Sequence, residues 1–385
     1  MAEQRAASTG TPGLSGDPAV PSATDRADHA DRTLEGAEGA AARTFLDFLA
    51  SIRPAVEARL EQRWQAEVSR VARYGREVEA MATEARSLTL RGGKRYRAGL
   101  VVAAHLGLAP DAPLDAAYDV AAALELIQTY LLIQDDWIDE DPTRRGGPSV
   151  HTALGHTLGD ARLGAVSALL SSDLTWSLAI GTLAHAPATP ERIVATLRAL
   201  CDIHQDVVVG QHLDVLGRAE DVEQMHALKT GSYTVRGPLV LGATLAGASA
   251  DVLAALDRFA APVGIAFQLR DDLLGTFGSE AETGKPVGND LRAGKRTAVI
   301  AWADGRLDAA ASEALRKAFG RSDATANEVA AATAALVASG ARTAVEDRLD
   351  ALCAEAEALA ASLPVSPRAR EILAGAAAAL RWRQR

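Results

Sequence analysis

The stretch Leu131-Leu132-Ile133-Gln134-Asp135-Asp136-Trp137-Ile138-Asp139 sets three acids at the end of an apolar run. Asp135 and Asp139 are four apart, so a helix puts them on one face, one turn apart. Gln128 and Leu132 extend the same stripe. Like charges at that spacing repel unless a cation stands between them. Oxygen-only ligands suit Mg²⁺, which keeps several waters and bridges to substrate phosphates. Leu126 to Gln134 carries no charge, so the acids mark the mouth of a buried helix rather than a solvated end. A second stretch, Gly264-Ile265-Ala266-Phe267-Gln268-Leu269-Arg270-Asp271-Asp272-Leu273-Leu274-Gly275, repeats the pattern. Gly264, Gln268, Asp271 and Gly275 share its face. Two acidic helix ends in one chain suggest metal ions held between facing helices.

The cations complete the set. Only five of the 40 basic residues are lysines, and Lys94, Lys229, Lys285 and Lys295 each lie within two positions of a glycine. A compact ammonium beside a backbone that can be approached closely is a phosphate-binding arrangement. Lys94 and Arg97 follow Gly92-Gly93 at a helix start, where free N–H groups also favour anions. Arg144 and Arg145 follow the first acids after a short loop. Acids for metal and cations for phosphate imply a substrate set with more than one diphosphate, held in an apolar bundle.

The elements that must position these groups are helical. The 385 residues are 48% apolar, 23% charged and only 4% aromatic, and rich in Ala and Leu, which favours helix over sheet. From Thr44 onward Phe45, Phe48, Leu49, Ile52 and Val56 recur at helical spacing, and no segment sustains a period of two. The expectation is an all-α fold, a single bundle of about a dozen helices around a central apolar cavity. Residues 1–42 read as a disordered tail and 43–385 as the catalytic domain. A net charge of −10 argues against nucleic acid as a partner. Cys201 and Cys353 have no metal-ligand spacing and fit a reducing compartment. No uncharged apolar run looks long enough to span a membrane and no secretory h-region is visible, so a cytoplasmic location is expected.

At this point the sequence resembles the trans-isoprenyl diphosphate synthases, or polyprenyl synthetases. The resemblance rests on Gly92-Gly93-Lys94-Arg95-Tyr96-Arg97, on Asp135-Asp136-Trp137-Ile138-Asp139 and on Arg144-Arg145-Gly146-Gly147-Pro148. Gly210-Gln211 with Asp214, Lys229-Thr230, and Phe267-Gln268 with Asp271-Asp272 follow in the family's order. Gly284-Lys285-Pro286, Asp290-Leu291 and Gly294-Lys295-Arg296-Thr297 complete it. Three departures stand out: Ala98 for a usual proline, Gln134 for a common histidine, and Gly275 for the third aspartate of the second motif.

The resemblance implies Mg²⁺-dependent, head-to-tail condensation of isopentenyl diphosphate with an allylic diphosphate. It implies that Asp135, Asp136, Asp139, Asp271 and Asp272 form the metal layer. Arg144, Lys229, Lys285 and Lys295 would hold the allylic diphosphate. Gly93, Lys94, Arg97, Gln128 and Arg145 would hold isopentenyl diphosphate without metal. Thr230 and Gln268 would stabilise the allylic cation through oxygen dipoles. Members are commonly homodimers.

Chain length turns on the residues before Asp135. Tyr130 lies about 7.5 Å down the axis, at about 1.5 Å per residue. It is turned about 140° from Asp135 on an ideal wheel, at about 100° per residue. The wheel favours Leu131; the resemblance favours Tyr130 as the floor and a C20 product, geranylgeranyl diphosphate. Farnesyl diphosphate (C15) is the alternative. A class I terpene cyclase would not need Asp271-Asp272 or the Lys94/Arg97 pair, and a non-catalytic partner subunit would be expected to lose aspartates.

Overall fold

The computed structural model describes residues 37–216, 227–279 and 287–382. Fifteen α-helices are present among them, with a single two-residue hairpin as the only strand pairing. The first helix, α1, spans Ala37–Val71, so its opening turns take in residues expected in the tail. That Ala-rich segment lacks large apolar side chains and so shows no periodicity. It is held by close backbone packing: a Cβ on Gly375 would run into the Ala41 carbonyl.

α2 (Arg76–Leu90) and α3 (Tyr96–Leu108) lead to α4 (Asp115–Ile138), the axis of the bundle. α4 buries Ala116, Val120, Leu124, Leu126, Ile127 and Ile133 together with residues of its other faces. A helix apolar nearly all round belongs in a core, and α4 is wrapped by α1, α2, α3 and α6. α5 (Val150–Leu158), α6 (Ala161–Ala184) and α7 (Pro190–Leu216) follow. A π-helical segment, Ala227–Arg236, packs between α7 and the later α9. α8 (Gly237–Ala246) lies against α3, and α9 (Ala250–Phe277) carries the second acid pair. Ser249 caps α9 by accepting from the Val252 N–H. The short α10 (Asn289–Arg292) and α11 (Ala298–Ala303) fold back over the end of α9. α12 (Ala309–Ala318), α13 (Ala326–Ala338), α14 (Ala341–Ala361) and α15 (Pro367–Ala378) close the bundle, α14 along α9 and α15 along α1.

One expectation needs correction. Asp115–Ile138, Ala161–Ala184 and Ala250–Phe277 are long and apolar enough, by length and composition, to cross a membrane. Their charges sit near helix ends or are too few to break the run. α4 is largely covered by its neighbours, whereas α6 leaves Leu163, Val166 and Leu170 exposed.

Candidate active site

The first acid end is built by a turn and a hairpin. The Asp139 N–H donates to the Asp135 carbonyl at 2.9 Å and closes α4. Glu140 takes a left-handed turn (φ 54°), and strand β1 (Thr143–Arg144) pairs with β2 (Gly147–Pro148). The two residues between them, Arg145 and Gly146, both have positive φ, as the tightest hairpin connection requires. This hairpin sends the neighbouring arginines to different places. Arg144 Nε donates to Asp136 Oδ1 at 2.5 Å, and its Nη2 reaches Asp135 Oδ2 at 3.2 Å and Asp141 Oδ2 at 3.4 Å. Arg145 Nη1 instead donates to the Leu88 carbonyl at 3.2 Å, with its guanidinium beside Gly93. Lys295 Nζ stands 3.9 Å from Asp139 Oδ2. The charge balance that the Asp135/Asp139 spacing demands is thus met partly by the protein's own cations.

The second acid end shares the plan with different partners. Asp272 is buried, and its Oδ1 accepts from Gln268 Nε2 at 2.8 Å while Oδ2 accepts from the Ala298 N–H at 2.7 Å. Burial pushes its carboxyl up to about 6, against the pull of those two hydrogen bonds. Asp136 is also fully buried and is also pushed up to about 6 by burial, with Arg144 pulling the other way. Asp136 and Asp272 were expected among the metal ligands. Here both are turned into protein, with Arg144 on one and Gln268 and Ala298 on the other, and so act as anchors. Asp135 and Asp271 are half-buried and Asp139 is exposed at the mouth. Gln268, with its amide nitrogen committed to Asp272, keeps its amide oxygen as the remaining polar end.

A cation cluster lies on the far side of the hairpin. Gly92 (φ 74°) and Gly93 (φ 95°) make a turn no other residue adopts easily, leading into Lys94 and the N-terminus of α3. Arg95, also left-handed (φ 57°), is buried and donates to Glu125 Oε2 at 2.8 Å and to the Thr89 carbonyl at 3.1 Å. Arg97 Nη2 donates to Thr234 Oγ1 at 2.8 Å, and its guanidinium stacks 4.9 Å from the centre of the Tyr233 ring. Burial pushes Arg145 down to about 10; Glu125 opposes that shift, while Arg95, Arg97 and Arg144 add to it. Arg97 Nε and Gln128 Oε1 are buried without a hydrogen-bond partner. So many crowded cations in a chain of net negative charge make a place that can receive an anion.

Between the ends, Tyr130 is buried in α4. Its hydroxyl lies 3.3 Å from His204 Nε2 of α7, and its ring sits 5.3 Å from that of Trp176 of α6. Trp176 and His204 stack at 4.1 Å, so three helices meet in one aromatic group. Leu131 is only partly buried against the core.

Some of the expected residues lie outside this description. Lys285 is outside the described residues, as are the side chains of Lys229 and Thr230, whose backbone belongs to the π-helical segment. Glu125, Asp141, Trp176 and His204 were missed by the sequence reading. Only the charge of Glu125 within an otherwise apolar stretch of α4 could have signalled one of them. Among the described residues no three acids, histidines or cysteines gather closely enough to hold a metal ion alone. The oxygen-only donor set still fits Mg²⁺, whose coordination is commonly completed by water and phosphate. Asp135, Asp139 and Asp271 would hold it from the protein side.

The model of the polyprenyl synthetase family matches residues 78–336. A geranylgeranyl diphosphate synthase of Mycobacterium tuberculosis is 34% identical over 293 residues, 73% of this chain and 78% of that protein. A farnesyl diphosphate synthase of Geobacillus stearothermophilus is 32% identical over 262 residues, 63% of this chain and 83% of that one. Among solved structures, a geranylgeranyl pyrophosphate synthase of Corynebacterium glutamicum, complexed with isoprenyl diphosphate and magnesium, superposes with a TM-score of 0.79. It is 33% identical and covers 88% of this chain and 99% of its own. A polyprenyl synthase of Caulobacter crescentus, complexed with calcium and isoprenyl diphosphate, gives a TM-score of 0.72 at 26% identity, over 88% of this chain and 98% of its own.

Proposed function

The chain belongs to the polyprenyl synthetase family and is a short-chain prenyl diphosphate synthase, and from that premise we propose how it works and what it makes. It joins isopentenyl diphosphate to an allylic diphosphate and ends at the C20 stage, geranylgeranyl diphosphate. The observation that carries this reading is the hairpin that separates Arg144 from Arg145. One arginine serves the acid mouth and the other the metal-free cation cluster, so two diphosphates are received side by side.

Mg²⁺, when bound, would neutralise the departing diphosphate. Asp135, Asp139 and Asp271 hold that charge in place, and Arg144 and Lys295 balance the phosphate oxygens. Lys94, Arg97 and Arg145 orient isopentenyl diphosphate with its double bond toward the allylic carbon. The apolar bundle beneath excludes water from the cation formed there. The Gln268 amide oxygen offers its negative end to that cation. No side-chain nucleophile is needed, and the departing diphosphate accepts the proton lost from the new chain. The relatives complexed with magnesium or calcium and isoprenyl diphosphate support this set of ligands.

The product's tail descends along α4, and Tyr130, braced by Trp176 and His204, is the floor. Two copies of the chain pair through the exposed apolar stripe Leu163, Val166 and Leu170 of α6, which a monomer would leave in water. The location is cytoplasmic.

The test is incubation of the purified chain with Mg²⁺, an allylic diphosphate and isopentenyl diphosphate, then chromatography of the dephosphorylated products. A C20 alcohol is expected and a C15 alcohol marks the farnesyl alternative. Consumption of the allylic diphosphate without isopentenyl diphosphate would mark a cyclase, and no turnover a non-catalytic subunit. Tyr130→Ala should lengthen the product. If only Leu131→Ala does so, Leu131 is the floor.

A further inference from the structure

Gly275 stands one turn beyond Asp271 on the same face of α9, where a third acid would complete the metal layer. The structure fills that space from elsewhere. A Cβ built on Gly275 would fall inside the carboxylate of Asp290, with Oδ2 the atom met first. The side chain of Asp290 therefore lies against the bare backbone of α9 where a side chain at 275 would begin.

The segment carrying Asp290 is fixed there at several points. Gly288, left-handed at φ 68°, opens the single turn Asn289–Arg292, and the Lys295 N–H donates to the Asp290 carbonyl at 2.9 Å. Three residues on, the Ala298 N–H donates to Asp272 Oδ2 at 2.7 Å. The loop is thus seated on α9 at 272 and at 275, which are three apart and adjacent on a helix. Lys295 reaches from the same loop toward Asp139 of the first acid end.

We propose that Asp290 supplies the third carboxylate of the second acid end, in the space Gly275 leaves open, and joins Asp271 in holding the metal–diphosphate. Gly275 is required because any side chain there would expel the Asp290 carboxylate. This rests on the metal-dependent reading above.

The test uses the full chain with Mn²⁺ in place of Mg²⁺ and inorganic pyrophosphate as the diphosphate. Bound Mn²⁺ is counted by electron paramagnetic resonance, without reference to turnover. Asp290→Asn should weaken Mn²⁺ binding about tenfold or more, with little change in the melting temperature of the metal-free protein. Gly275→Ala should weaken it too, because its methyl group takes the carboxylate's space. The double variant Gly275→Asp/Asp290→Ala should bind within a few-fold of the parent. Parental binding by Asp290→Asn overturns the proposal, as does a double variant no better than Asp290→Ala. If the parent chain binds no Mn²⁺ with pyrophosphate, the metal-dependent reading itself falls and this assignment falls with it.

Discussion

The two acid ends look alike in sequence and are held by different physics. Each closes an apolar helix with an Asp-Asp pair, and in each the second aspartate is buried while the first faces the mouth. At the end of α4 the buried Asp136 is matched by a charged guanidinium, Arg144, brought back by the hairpin. At the end of α9 the buried Asp272 is matched by neutral donors, Gln268 and the Ala298 N–H. An ion pair made in protein strands a charge when one partner is removed, whereas a carboxylate among neutral donors can be replaced by an amide. One end is therefore brittle and the other adaptable, although in the proposed reaction both present an acid to the same substrate.

The largest expected effect treats the ends as equal. Asp135→Ala and Asp271→Ala should each lower kcat about a thousandfold, the scale for removing a preorganised charge stabiliser. The metal-free melting temperature should hardly move, since the contact between Asp135 and Arg144 is partly exposed. If either substitution left kcat within tenfold of the parent, that end would not belong to the metal layer.

The next effect separates them. Arg144→Ala should destabilise the protein by about 3 kcal/mol at pH 8, because Asp136 is left buried and unpaired. The loss should shrink toward pH 5, where Asp136 takes up a proton and sheds its charge. A loss independent of pH in urea titrations would mean that packing by the arginine, not its charge, is what matters.

A smaller effect probes the adaptable end. The Asp272 carboxyl is raised in the folded state to about 6 from the ordinary value near 4. Its stabilising contribution is complete below the unfolded value and is lost as pH rises through about 6, amounting to about 3 kcal/mol at about 1.4 kcal/mol per unit. Asp272→Asn keeps an acceptor for the Ala298 N–H, and the Gln268 amide can turn over to meet the new NH₂ group. The variant should match or exceed parental stability at pH 7.5 and show a flatter melting temperature between pH 4 and 7. A steeper profile would refute the assignment.

The smallest effect compares the acid mouth with the cation cluster beyond the hairpin. Lys94→Ala should raise KM for isopentenyl diphosphate about tenfold, the scale of one charge-assisted hydrogen bond, with little change for the allylic partner. Lys295→Ala should do the reverse. Equal changes in both constants for both variants would merge the two diphosphate sites into one.

Much of this was legible in the residues themselves. Helical periodicity announces the all-α bundle because apolar side chains at 3.6-residue spacing have only one way to be buried together. The acids of α4 and α9 and the cations near Gly92-Gly93 and Arg144-Arg145 could be found because their chemistry is local: type and spacing state it. The start of α1 was less legible, since Ala37–Ala42 gains its order from contact with α15, a partner more than 300 residues away. The hairpin was missed because two-residue strands have no period to read, although Arg145-Gly146 is a turn signal.

What only the tertiary structure decided is the division of labour within each pair. Asp135 and Asp136 differ by one position, yet a rotation of about 100° along the helix turns one toward the mouth and the other into protein. Neighbouring Arg144 and Arg145 part because both central residues of the hairpin turn have positive φ. Asp290 and Gly275 are meaningful only together, since a missing side chain is visible as space only when another chain segment occupies it. Residue types set which reactions were available to this chain. Packing set which residue performs each part, because burial and direction are properties of the whole bundle.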